Sequence, residues 1–452
     1  MDFIIHIKDF LWDYVIIFLL VFAGLFFTIK LKFPQITKLG LAVKSTLGNV
    51  FKKDAGPKKE GEVSSFQALA TAVAAQLGTG SVGGVASAIM AGGPGAVFWM
   101  WISGLLGMST IFAEAILAQV FRQKKDGEVY GGPAYYISQG VKNKRFAKVL
   151  SIVFAIFLIL ALGFAGNMVQ SNSIALSMQE GFGIKPAYTG IILAVLVSMI
   201  VMGGVQRISK IAEMIVPVMA AVFILSGLVI LVMFRQNIIP VFKLIFKSAF
   251  STSAVFGGAV GISVQHAIKM GLARGLFANE AGMGSTPHAH AVATVDKPAD
   301  QGLSAIFGVL TGIIICTVTA MIILLTNAHI YSFEHGLDSV AVTQKGFEIA
   351  FGKPGVIFLA ISLFFFAFST IVGWYYFGES NIVYLFGQKA VLVYRLLVVI
   401  AVIVGTVVSV DFVWVLSDTF NALMVIPNVI GLVLLSNIVS KEAHRLEEPK
   451  LK

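Results

Sequence analysis

Apolar positions along this chain come in long blocks, and most charged residues are crowded into the intervals between them. A helix needs roughly 20 apolar residues to cross the hydrocarbon of a bilayer. About eleven such blocks occur, near residues 11–30, 66–91, 96–121, 146–171, 187–204, 211–234, 253–268, 302–326, 355–377, 391–410 and 412–438. The pattern predicts an all-α integral membrane fold of about eleven transmembrane helices. Residues 34–56 differ: Ile36, Leu39, Val43, Leu47 and Val50 alternate with Lys38, Lys44, Lys52 and Lys53. They predict a short amphipathic helix against membrane lipid, followed by a polar linker from Lys52 to Glu62.

Two of the blocks are interrupted. Gln76-Leu77-Gly78-Thr79-Gly80-Ser81-Val82-Gly83-Gly84 falls in the middle of 66–91, and Phe256-Gly257-Gly258-Ala259-Val260-Gly261 falls within 253–268. An unpaired backbone group in hydrocarbon costs several kcal/mol, so a broken helix persists there only when buried in protein or lining a cavity. Paired interruptions mark the substrate and ion site of many transporters. With the first block set aside as an extra span (1–35, then the amphipathic helix and linker, 36–62), the other ten form two sets of five. These cover 63–235 and 250–440, each set begins with an interrupted span, and a tail follows at 441–452. If the sets share one fold in opposite orientations, the interrupted spans lie antiparallel at the midplane.

Composition supports this organisation: 57% of residues are apolar, 12% are charged and the mean hydropathy is +0.89, outside the range of soluble domains. Of the 33 Lys and Arg residues, 26 fall in intervals on one side if the N-terminus is outside, which predicts a cytoplasmic C-terminus. The net charge of +10 is thereby a membrane signature rather than one of nucleic-acid binding. Asp2 and Asp9 precede the first block and Lys30 and Lys32 follow it, so it reads as a retained span rather than a cleaved leader. The single cysteine, Cys316, excludes an intramolecular disulfide or a cysteine metal cluster.

The chemistry available at the first break follows from its backbone. Opening a helix at Gly78-Thr79-Gly80 frees N–H groups suited to a carboxylate and C=O groups suited to Na⁺ or an ammonium; an amino acid carries both of those charged groups. The bland alternative is close helix packing through small residues. In the ninth block, the hydroxyls of Ser369 and Thr370 with a main-chain carbonyl one turn earlier could ligate a hard cation. Thr370 and Trp374 share a helix face, so Trp374 could wall a small pocket; otherwise the hydroxyls bond to their own helix and Trp374 is packing or an interface anchor.

The intramembrane carboxylates to weigh are Glu114 (within reach of Arg122), Glu213, Glu379 and Asp418. None falls in either interruption, which points away from a central proton relay and toward Na⁺ held by neutral oxygens. His266, His288 and His290 make a weak metal signal. No Walker A loop, nucleophile elbow or zinc-protease helix occurs, so the chain reads as neither an ATP-driven pump nor an enzyme. A passive channel would need a polar ring or filter, and none is evident.

Four stretches, Gly78-Thr79-Gly80-Ser81-Val82-Gly83-Gly84-Val85-Ala86, Gly92-Gly93-Pro94-Gly95-Ala96-Val97-Phe98-Trp99-Met100-Trp101, Tyr130-Gly131-Gly132-Pro133 and Arg274-Gly275-Leu276-Phe277-Ala278-Asn279-Glu280-Ala281-Gly282-Met283-Gly284-Ser285, closely resemble the alanine or glycine:cation symporter family of prokaryotes. The resemblance covers nearly the whole chain. It implies a leucine-transporter-like five-plus-five inverted repeat behind one extra N-terminal helix, in the plasma membrane, importing small neutral amino acids with Na⁺, or alternatively H⁺, by alternating access. It implies no organic cofactor and no obligatory protein partner. Sodium is then expected near the main chain of Ala74, Leu77 and Phe366 and the side chains of Ser369 and Thr370. Substrate is expected against Gln76, Gly78, Thr79 and Gly80, with Phe256, Gly257, Gly258 and Gly261 opposite, Trp374 closing the pocket, and Asn167 and Gln170 contributing from the fourth span. Ser81 stands where the family often has Asn.

Overall fold

The computed structural model describes residues 2–50, 61–125, 127–250, 254–256, 259–262, 264–337 and 339–446. The chain opens with α1 (Asp2–Lys30) and α2 (Leu39–Val50), then α3 (Ser65–Gln76) and α4 (Gly83–Gly92), the halves of the first interrupted block. There follow α5 (Ala96–Val120), α6 (Pro133–Gly140), α7 (Lys144–Phe182), α8 (Pro186–Val201), α9 (Gly204–Met233) and α10 (Ile238–Phe250). The remainder comprises α11 (Val264–Asn279), α12 (Pro287–Ala291), α13 (Pro298–Leu325), α14 (Ala328–His335), α15 (Val340–Phe351), α16 (Lys353–Phe386), α17 (Val391–Val407), α18 (Val410–Leu434) and α19 (Ser436–His444). Among the described residues eight helices are long and apolar enough to cross a membrane: α1, α5, α7, α9, α13, α16, α17 and α18.

The reason for each boundary is local. Ser64 and Gln67 form a reciprocal capping box at the start of α3, and proline occupies the first turn of α6, α8, α12, α13 and α16. Long runs of side chain face outward on the rim helices, including Met214, Val218, Leu225 and Val232 of α9 and Leu392, Leu396 and Ile400 of α17. A water-soluble protein could not leave so large an apolar surface uncovered; these faces meet lipid, and the chain is a multi-pass membrane protein.

Among the described residues the structure is nearly all-helical, with three short strand pairs. β1 (Val63–Ser64) pairs in parallel with β6 (Ala293–Thr294), β2 (Gln123–Lys125) pairs antiparallel with β3 (Glu128–Tyr130), and β4 (Ala254–Phe256) pairs antiparallel with β5 (Ala259–Ile262). The β1–β6 pair sets the geometry of the centre. β1 leads into α3, whereas β6 is reached after α12, so their pairing holds the start of α3 beside the end of α12, and helices packed side by side from those ends run in opposite directions. Accordingly α3 packs on α12, and α4 packs on α11. Arg122 fastens this junction by pairing with Glu62 at 3.2 Å and donating to the Ala293 carbonyl at 2.8 Å, while Thr294 Oγ1 donates to Glu62 at 2.7 Å. Arg122 is thus not the partner of Glu114.

Two expectations are corrected here. Ala254–Phe256 and Ala259–Ile262 pair as strands β4 and β5, and the helix of that span begins only at Val264. Burial of a different interruption, at Asn279–Ser285, makes the second broken helix. In addition, Lys269 forms an ion pair with Asp13 of α1, and Arg274 pairs at 3.4 Å with Asp418, whose carbonyl accepts from Trp12 Nε1 of α1 at 3.0 Å. Both cations therefore belong with the N-terminal half of α1 rather than with the Lys- and Arg-rich intervals.

Candidate functional site

The first break starts where α3 ends. Leu77 (φ −87°, ψ 44°) and Gly78 (φ −88°, ψ −152°) leave helical geometry, a single 3₁₀ turn spans Thr79–Ser81, and α4 resumes at Gly83. Carbonyl groups at the end of α3 are thereby released from the i→i+4 ladder. The Ala74 carbonyl accepts from Thr370 Oγ1 at 2.6 Å, and the same hydroxyl lies 3.0 Å from the Phe366 carbonyl. Ser369 Oγ donates to that carbonyl at 2.9 Å. Four neutral oxygens from α3 and α16 thus meet at one point. The chain at Gly78 passes directly over them, because a Cβ there would lie 2.7 Å from Thr370 Oγ1.

On the other face of the same turn, Thr79 N–H donates to Gln170 Oε1 at 3.0 Å. A Cβ at Gly78 would lie 2.8 Å from that oxygen. Gln170 and Asn167 stand one turn apart on α7, just after its π-helical stretch Ile159–Gly166. Trp374 closes in from α16, with its six-membered ring edge against Gly166, where a Cβ would approach Cζ3 to 2.6 Å. Gln170 is thus brought against Gly78 and Thr79 of the unwound segment, with Asn167 one turn away on α7 and Trp374 reaching the second break through Glu280. Gln76 Oε1, Thr79 Oγ1 and Asn167 Oδ1 are buried there without a hydrogen-bond partner. Buried polar atoms are ordinarily paired, so these three have hydrogen-bonding capacity left for a ligand.

The other wall differs from the expectation. Phe256 belongs to β4 and Gly261 to β5, while Gly257 and Gly258 lie outside the described residues. The sixteen residues of α11, roughly 24 Å of helix at about 1.5 Å per residue, separate that strand pair from the end of α11 that meets the first break. What faces the first break is the end of α11 and the unwound turn after it. Phe277 and Ala278 pack on Gly80, at 3.2 and 3.4 Å from a Cβ built there, and Gln76 Nε2 donates to the Asn279 carbonyl at 3.0 Å. The unwinding itself is carried by Glu280 (φ 51°), Gly282 (φ 83°) and Gly284 (φ 83°), left-handed positions that favour glycine. Asn279 Oδ1 is a fourth unpartnered buried oxygen.

A carboxylate therefore does sit in a break. Glu280 is buried, accepting from Trp374 Nε1 at 2.5 Å and from Ser285 Oγ at 2.6 Å. Trp374 thus both packs on Gly166 and holds Glu280. Sequence reasoning missed Asn279 and Glu280 because the stretch was read only as a family signature; Asn279-Glu280-Ala281-Gly282-Met283-Gly284 following an apolar helix carried the same polar-plus-glycine signal as the first break.

The remaining carboxylates and histidines weighed from the sequence are dispersed. Glu213 accepts from Gln67, and Glu379 lies 3.7 Å from Arg395. His288 Nδ1 donates to the Ser285 carbonyl, and Asn381 donates to His288 Nε2; that pairing fixes the imidazole in one neutral form. No group of three His, Cys, Asp or Glu able to hold a metal occurs among the described residues.

The whole chain, residues 1–451, matches the family described as the sodium:alanine symporter family. It is 41% identical to "Sodium/alanine symporter AgcS" of Methanococcus maripaludis, over 98% of this chain and 96% of that one. At 41% it is equally similar to "Probable sodium/glutamine symporter GlnT" of Bacillus subtilis, covering 96% of this chain and 87% of the relative. Among solved structures, MhsT in complex with L-phenylalanine superposes with a TM-score of 0.59 at 14% identity, covering 87% of this chain and 99% of MhsT. A manganese transporter of Eremococcus coleocola does so with a TM-score of 0.54 at 15% identity, over 82% of this chain and 76% of that one. At such identities the structural likeness concerns the fold alone.

Proposed function

Because this chain belongs to the sodium:alanine symporter family, whose members are amino-acid:cation symporters, we propose that it couples the Na⁺ gradient to uptake of small neutral amino acids, alanine and glycine, by alternating access. The observation that carries the reading is the meeting of the Ala74 and Phe366 carbonyls with the hydroxyls of Ser369 and Thr370. Such a neutral all-oxygen group suits a hard monovalent cation and offers no soft or nitrogen ligand. Leu77 supplies a further main-chain oxygen in this proposal.

The substrate lies between the two breaks. Its carboxylate takes the Thr79 hydroxyl and main-chain N–H groups around the 3₁₀ turn, and its ammonium takes an unpartnered oxygen such as Gln76 Oε1. Relatives of equal identity are named for alanine and for glutamine, so whole-chain similarity leaves the size of the side chain open. The close seat of Trp374 on Gly166 favours a small one. Two sets of five spans, completed by α8 and the two broken helices, follow α1, with the N-terminus outside and the C-terminus cytoplasmic.

Purified protein in liposomes, given labelled alanine, is expected to accumulate it only under an inward Na⁺ gradient. Glu280 favours a second reading, proton coupling, since a buried carboxylate without an ion pair among the described residues is a natural proton carrier. Full accumulation driven by a pH gradient alone would select that reading and overturn the first.

Trp374 gives a separable prediction. Trp374→Phe keeps most of the wall but removes the N–H that satisfies Glu280, a loss of about 1–3 kcal/mol, whereas Trp374→Ala also removes the wall. Alanine affinity is expected to fall in both, and leucine is expected to compete for labelled alanine only in the Ala variant. Leucine failing to compete in a folded Trp374→Ala protein would place the wall elsewhere.

A further inference from the structure

Glu114 lies outside the site described above, yet its side chain is fully buried on α5 and is aimed at the second break. Unwinding at Gly282 and Gly284 leaves two backbone N–H groups with no helical acceptor. Glu114 Oε2 accepts from Gly282 N at 3.2 Å, and Oε1 accepts from Gly284 N at 3.0 Å, so both carboxyl oxygens are taken by closely spaced main-chain donors. Asn428 of α18 completes the arrangement. Its Nδ2 donates to Glu114 Oε1 at 2.6 Å and to the Gly282 carbonyl at 2.9 Å, and its Oδ1 accepts from the hydroxyl of Tyr136 on α6. Space around the turn is closed as well, since a Cβ at Gly284 would come within 2.9 Å of Phe154, Pro133 and Asn428.

We propose that Glu114 is the positioning residue of the second break: it holds the unwound turn in its substrate-binding shape and ties that shape to α18 and α6 through Asn428 and Tyr136. This rests on the symport reading for its substrate but not for its geometry. Glu114 touches neither proposed ligand. It acts through the backbone, because Asn279 and Glu280, which face Gln76 and Trp374, precede Gly282 by three and two residues. The proposed Na⁺ oxygens lie on α3 and α16, so an effect routed through Glu114 reaches the amino acid before the ion.

The test compares wild type, Glu114→Gln, Glu114→Asp and Tyr136→Phe as full-length protein in detergent and in liposomes. Glu114→Gln turns one of the two accepting oxygens into an NH₂ that meets a main-chain N–H instead of accepting from it, and the half-saturating alanine concentration is expected to rise about tenfold, with that for Na⁺ changing less than about twofold. Tyr136→Phe, which perturbs only the far end of the chain of bonds, is expected to shift alanine in the same direction by about two- to threefold. Hydrogen exchange supplies a readout independent of any ligand: in Glu114→Gln, peptides covering 280–286 are expected to exchange about tenfold faster, those of α5 and α18 unchanged. Unaltered exchange in 280–286, or equal losses for alanine and Na⁺, would overturn the proposal. If Glu114→Gln does not fold, Glu114→Asp and Tyr136→Phe decide it by the same exchange measurement. Wild-type protein that binds no small neutral amino acid would refute the symport reading and leave the exchange result to judge Glu114.

Discussion

Valine at Gly78 is expected to abolish alanine binding and uptake in a protein that still extracts from the membrane as a monodisperse species. The reason is steric and local. A Cβ at this position would stand 2.7 Å from Thr370 Oγ1, 2.8 Å from Gln170 Oε1 and 3.0 Å from Gln170 Nε2, all closer than carbon and those atoms tolerate. Both neighbours are proposed participants, one toward the ion and the other orienting Thr79 N–H, so relief of the clash necessarily disturbs the site. Gly80 is the milder test: its Cβ would meet Phe277 and Ala278 at 3.2 and 3.4 Å, and valine there is expected to weaken alanine without eliminating Na⁺ binding. Near-normal alanine affinity in Gly78→Val would mean that the glycines serve helix packing alone. Direct binding of labelled alanine to the solubilised variant measures this without relying on turnover.

Thr370→Ala is expected to raise the Na⁺ concentration for half-maximal uptake by tenfold or more, and Ser369→Ala by less. Hydrogen bonds and ligations involving a charged partner are worth about 1.5–3 kcal/mol each, which sets the scale. The order follows from geometry: the Thr370 hydroxyl bridges the Ala74 carbonyl of α3 and the Phe366 carbonyl of α16, whereas Ser369 reaches only Phe366 on its own helix. Thr370→Ser keeps the oxygen and is expected to restore most of the Na⁺ affinity, which a purely packing role for the methyl group would not allow. Unchanged Na⁺ dependence in both alanine variants would remove the ion from this place.

Much of the first half of the site was legible in the chain because its signal is covalent and local. Gly78-Thr79-Gly80 in the middle of an apolar block cannot continue a lipid-facing helix, and Ser369, Thr370 and Trp374 are so closely spaced on one helix that Thr370 and Trp374 must share a face. Gln170 and Asn167 were reachable only through family resemblance, since two amides one turn apart on a buried helix have many uses.

The second half was misplaced by about twenty residues. Gly257-Gly258 and Gly282-x-Gly284 are comparable glycine signals, and local composition does not say which of them is brought to the centre. The β1–β6 pairing and the packing of α11 on α4 make that choice. A one-dimensional hydropathy scan also cut the span at 268 because Lys269 and Arg274 ended the apolar run, whereas in three dimensions both are neutralised by Asp13 and Asp418.

Apolar block length, the bias of positive charge and the incompatibility of glycine clusters with lipid-exposed helix are properties of the chain in its solvent, and from them the sequence alone determined a multi-pass helical membrane protein with a helix interrupted within Gln76–Gly84. Which residues oppose that break, that Trp374 holds Glu280, and that Glu114 spans to Gly282, Gly284 and Asn428 were decided only by the tertiary structure. Those contacts join residues 94, 168 and 314 positions apart. The pairing of an N–H with a distant carboxylate depends on where whole helices pack, and no local periodicity records that.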